Sequence, residues 1–69
     1  MYSLVGVDGN AYALMGYTRQ AMKENGFTKD EIDLMLEDAK SGDYYHLIAV
    51  CDTWIDQVNK RAGMEEEDD

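Results

Sequence analysis

The chain has too little cysteine and histidine for the usual supports of a very small domain. Its single Cys51 excludes an intramolecular disulfide, and with only one histidine, His46, a four-ligand Cys/His metal site cannot be assembled. Bases are also scarce, 6 against 15 acids, and none are clustered with aromatics into a patch that would hold a phosphate backbone, so direct nucleic-acid binding is not expected. No apolar run approaches the roughly 20 residues that span a bilayer, and Met1 to Val7 lacks the basic start and long apolar run of a signal peptide. The expectation is no membrane segment and a reducing, cytoplasmic setting. No glycine-rich phosphate loop occurs, and no cofactor is expected.

What remains is a chain of 69 residues, enough for one domain. A chain this short buries only about 60% of the surface that its unfolded form exposes, so stability is expected to be marginal. The formal charge is −9, of which five acids lie in the final Glu65-Glu66-Glu67-Asp68-Asp69 run; ten acids against six bases leave −4 for the rest.

The organising stretch is Asp43 to Gly63, where Tyr44, Leu47, Ile48, Cys51, Trp54, Ile55 and Val58 recur at helical spacing on one face. Asp43 is placed to cap this helix, Lys60 and Arg61 to meet its negative end, and Gly63 to stop it in the left-handed conformation. Upstream, Asn10, with Asp8 as the alternative, caps a helix to about Asn25, with Ala11, Leu14, Met15, Thr18 and Met22 inward. Gly26 and Phe27 then read as a Schellman stop, and Thr28-Lys29-Asp30-Glu31 as a capping box, with Phe27 and Ile32 at hydrophobic-staple spacing. The middle helix buries Ile32, Met35, Leu36 and Ala39 and ends at Ser41-Gly42. The fold class is therefore all-α: a compact three-helix bundle over residues 1–63, with helices at about 10–25, 29–40 and 43–62. A short extended N-terminal arm, Met1 to Val7, precedes it, and residues 64–69 form a disordered acidic tail. The arm either lies across the helices or pairs with another chain.

Several candidate sites carry a functional and a plainer reading. Asp30, Asp33, Glu37 and Asp38 crowd the middle helix and Asp52 and Asp56 the last; such spacing can hold a divalent ion, but Lys neighbours and positions opposite the apolar stripes favour a solvated acidic face and no metal. Asp8-Gly9-Asn10 lacks the ligand pattern of a calcium loop and reads as a turn and cap. Cys51 sits on the core stripe between Ile48 and Ile55, and His46, five residues away, points about 140° from it, so no nucleophilic pair forms. No catalytic residue emerges, and no enzyme is expected.

Two apolar features point to protein contact. The opening of the first helix, Ala11 to Tyr17, is apolar or small all round, which makes Tyr12, Gly16 and Tyr17 candidate partner-binding residues unless the arm covers them. Tyr44 falls in stripe register and reads as core, whereas Tyr45 starts the outer face and is a fourth contact candidate. The arm and this opening are also enough to cover each other in a two-fold homodimer. The expected function is a non-enzymatic protein-interaction domain. An acidic mimic of DNA, acting on a defence or DNA-processing enzyme, is the alternative that uses the carboxylates.

Val7-Asp8-Gly9-Asn10-Ala11, Met15-Gly16-Tyr17, Gly26-Phe27-Thr28 and Ser41-Gly42-Asp43-Tyr44 together resemble a group of small uncharacterised proteins of gut bacteria and their mobile elements. That resemblance implies a source class, that of accessory or inhibitory factors of phages and mobile elements, and no mechanism. Met15-Gly16-Tyr17, or alternatively Asn25-Gly26-Phe27 with Gly42-Asp43 and Trp54-Ile55, is also similar to ubiquitin-associated domains. It implies a three-helix fold and, as a third function, an adaptor.

Overall fold

A computed structural model describes residues 1–66. Three helices follow in order: α1 from Ala11–Glu24, α2 from Lys29–Lys40 and α3 from Tyr44–Glu66, each packed on both others. At about 1.5 Å rise per residue, α3 is about 34 Å long and forms the spine on which the two shorter helices lie.

The local signals act as their chemistry requires. Asn10 accepts from the Tyr12 amide at 2.8 Å, and Asp43 Oδ1 accepts from the His46 amide at 2.9 Å, each satisfying a first-turn donor that the helix leaves open. At the α1–α2 junction Gly26 takes φ +82, a conformation that costs glycine little. Phe27 N–H then reaches the Met22 carbonyl at 3.0 Å and Gly26 N–H the Lys23 carbonyl at 3.3 Å, the double closure of a Schellman motif. The capping box follows at once, with Thr28 N–H donating to Glu31 at 2.8 Å and Glu31 N–H to Thr28 Oγ1 at 3.1 Å.

The core joins Leu14, Met15, Ala21 and Met22 of α1 to Ile32, Met35 and Ala39 of α2 and Leu47, Val50, Cys51, Ile55 and Val58 of α3. Thr18 is buried among them because its hydroxyl donates to the Leu14 carbonyl at 2.9 Å, which removes the penalty of an unpaired polar group. Burial pushes the Cys51 thiol above its ordinary value, against a smaller opposing effect of its hydrogen bond with Thr18. Native Cys51 is therefore expected to react with a thiol reagent only through opening of the fold. Labelling should be slower than for a free thiol by roughly three orders of magnitude, the closed-to-open ratio of a domain with about 4 kcal/mol of stability. Rapid labelling without denaturant would contradict this placement.

Three expectations need correction. Gly63 does not stop α3, which continues to Glu66; nothing at Gly63 requires a positive φ, and Met and Glu, which follow it, are good helix formers. Residues 64–66 are thus helical in backbone, and the remainder of the expected tail, 67–69, lies outside the described residues. Tyr44 is not core: it is 43% exposed, because in the first turn of α3 its stripe position overhangs the end of the bundle. Val50, outside the expected stripe, is buried in its place.

The arm is extended only at its start. Asn59 on α3 accepts from the Tyr2 amide and donates to the Tyr2 carbonyl, both at 2.8 Å, so one side-chain amide imitates a pairing strand. Leu4 to Val7 then closes as a β-turn, Val7 N–H on Leu4 O at 3.1 Å with Gly6 at φ +89, the geometry of a type II turn. Tyr2, Leu4 and Val7 pack against the core, so the arm lies across its own helices.

Candidate functional site

The two ends of the bundle differ in character. At one end the α1–α2 junction meets the second half of α3: Phe27 packs edge-on to Trp54, centroids 6.0 Å apart, and the Arg61 guanidinium lies 3.9 Å from the Phe27 ring centre. Arg61 also donates to the Asn25 carbonyl at 3.0 Å, so an α3 side chain completes the α1 C-terminus. Phe27, Trp54 and Arg61 here already have partners.

The other end, where α1 starts, α2 stops and α3 starts, is built differently. Tyr12 is 81% exposed and Tyr45 79%. Tyr44 stands edge-on to Tyr45 at 6.2 Å and is fixed by a hydrogen bond from its hydroxyl to the Gly9 carbonyl. Tyr12 and Tyr44 flank a cleft of about 400 Å³ between the three helix ends, with the buried core residues Met15, Ala39 and Leu47 lining its floor and Lys40 and Asp43 on its rim. The walls of the cleft are held by His46, whose Nε2 sits 2.9 Å from the Asp38 carbonyl and 3.1 Å from its carboxylate. Gly42 permits this close approach, since a Cβ there would meet the His46 ring at 2.7 Å.

The four contact candidates do not form one patch. Tyr17 is half-buried and engaged by the arm: its hydroxyl accepts from the Ser3 amide at 3.0 Å and its ring packs edge-on against Tyr2. The Tyr2 hydroxyl in turn donates to Glu24, whose carboxyl is held below its ordinary value by hydrogen bonds from Gln20 and Tyr2; Glu31 is lowered mainly by the Thr28 amide. Both contributions are complete above the ordinary glutamate value of 4.5 and are lost as pH falls through the lowered native values.

Gly16 is exposed on α1, and a Cβ there would meet nothing within 4 Å. The close helix approach that would explain a mid-helix glycine is absent. Gly16→Ala is expected to stabilise the fold by up to about 1 kcal/mol, raising the melting midpoint by about 4–8 °C in a domain of this size. A lowered midpoint in a thermal melt would contradict the open site.

The acidic candidates Asp30, Asp33, Glu37 and Asp38 are all exposed on α2, but two are engaged. Lys29 pairs with Asp33 at 3.1 Å and Asp38 binds His46. On α3, Lys60 pairs with Asp56 at 3.4 Å, the expected i,i+4 partnership. Among the described residues no three of His, Cys, Asp or Glu converge as metal ligands, and no described helix is long and apolar enough to cross a membrane. Tyr44 is the site residue that sequence reasoning missed; its place directly after the Asp43 cap, before any second helix can overlie it, was the available signal. Comparison with protein-family models, curated proteins and solved structures finds no match to this chain.

Proposed function

We propose that the chain is a non-enzymatic protein-interaction domain that docks its partner through the tyrosine end of the bundle. The observation that carries this reading is the pair Tyr12 and Tyr44 flanking a cleft lined by Met15 and Leu47, with exposed Tyr45 edge-on to Tyr44 beside it. Tyrosine offers a large contact area at low entropy cost, and apolar clefts rimmed by such residues are where binding energy concentrates. The arm supports the same choice by elimination, because it already occupies the Tyr17 side of the apolar first helix. A homodimer built on that face would have to displace the Tyr2–Asn59 pairing. The resemblance to small proteins of gut bacteria and their mobile elements, together with a lone buried cysteine, supports an accessory or inhibitory factor of that source class acting in the cytoplasm.

The acidic-mimic reading has weaker support. B-DNA presents one charge per about 1.7 Å of axis, whereas Asp30 to Asp38 spans about 12 Å and has Asp33 and Asp38 already hydrogen-bonded to Lys29 and His46. For an adaptor like the ubiquitin-associated domains, the loop residue Phe27 is covered by Trp54 and Arg61, and fold alone does not carry function.

Affinity capture from a bacterial host with the wild-type chain and a Tyr12→Ala/Tyr45→Ala variant tests the proposal. A partner retained by the wild type should be lost at least about tenfold in the tyrosine variant and kept by an Asp30→Asn/Asp33→Asn/Glu37→Asn variant. The reverse pattern, with affinity falling steeply as salt rises, would replace docking by acidic mimicry.

A further inference from the structure

Resting on the docking reading, we propose that the tyrosine end takes an arginine-bearing segment of the partner, its guanidinium stacked on an exposed tyrosine and an apolar neighbour seated in the cleft. Three exposed phenol rings present negative π-faces, which attract a cation when its far side is partly desolvated. The charges around them have one predominant sign. Asp43 is on the rim, Asp8 is one residue from the Gly9 carbonyl that anchors Tyr44, and Asp38 is held at the same end by His46, three carboxylates against Lys40 on the cleft lining. Asp43 Oδ1 is used by the His46 amide, which leaves Oδ2 to accept from a guanidinium. Arginine fits better than lysine because its planar group both stacks on a ring and donates in-plane to a carboxylate, and it gives up less hydration. The far end of the domain uses the same chemistry internally, with Arg61 over Phe27.

The test selects a random peptide library displayed on phage against the full-length chain at low salt, followed by titration of the best synthetic peptides. Enriched peptides should carry arginine beside an apolar or aromatic residue, and replacing that arginine by lysine should weaken binding several-fold. Tyr45→Ala or Tyr12→Ala should weaken it about tenfold, while Tyr45→Phe, which keeps the ring face, should stay within about threefold. Asp43→Asn removes the charge but keeps an equally good cap, so it should weaken binding about threefold or more at low salt, with the difference closing at high salt and the melt unchanged. Peptides that need the tyrosines yet contain no basic residue would overturn the arginine inference and leave docking intact. Binding indifferent to both tyrosines would overturn both, and a library that enriches nothing would overturn the inference while the capture experiment still judges the docking reading.

Discussion

Met22→Ala is expected to cost about 3 kcal/mol, a large part of the roughly 3–10 kcal/mol available to a chain of this length. Met22 is fully buried, and its flexible side chain sits where α1 ends against the other helices. Its carbonyl also accepts from both Asn25 and Phe27, so the backbone that would have to relax into the cavity is fixed by the Schellman closure. Thermal melts should show a fall of about 12 °C or more, at 4–8 °C per kcal/mol. A shift of only a few degrees would mean that the core at the α1 C-terminus collapses freely, contrary to the packing described.

The second large effect is expected at the junction. Phe27→Ala should cost about 2 kcal/mol, less than a fully buried aromatic because Phe27 is only half-buried. Arg61→Ala should cost about 1–2 kcal/mol, through the lost bond to the Asn25 carbonyl and the lost stacking on Phe27. If Arg61 acts on Phe27, the two losses are not additive, and a double-mutant cycle by denaturant unfolding should give a coupling of about 0.5–1 kcal/mol. Additive losses would leave Arg61 as a cap for α1 and nothing more.

These two sites also mark where the sequence is readable. Gly26, Phe27, Thr28 and Glu31 bond to groups within five residues, so their spacing alone dictates the Schellman closure, the capping box and the three-helix order. The caps at Asn10 and Asp43 are legible for the same reason. Arg61 to Asn25 and Asn59 to Tyr2 join residues 36 and 57 apart, and no local pattern distinguishes these polar residues from their solvated neighbours. Tyr44 was misplaced because periodicity describes a face and is blind to where the opposing helices end. Gly63 was misread because a glycine permits a stop without imposing one. Of the candidate site, Tyr12 and Tyr45 were legible as apolar residues off the core stripes. Their meeting with Tyr44 at one end, Tyr12 across the cleft and Tyr45 edge-on to it, depends on α1 and α3 starting at the same end of the bundle, which only the tertiary arrangement supplies.

If this end of the bundle is the docking surface, amide hydrogen exchange of the full chain, free and bound to its captured partner, reports the contact residue by residue. Binding is predicted to add protection at Asn10 to Tyr12 and Gly42 to Leu47 while leaving the first turns of α2, around Asp30 and Asp33, unchanged. Protection confined to the outer face of α2, with no change at the starts of α1 and α3, would place docking on the acidic face instead of the tyrosine end.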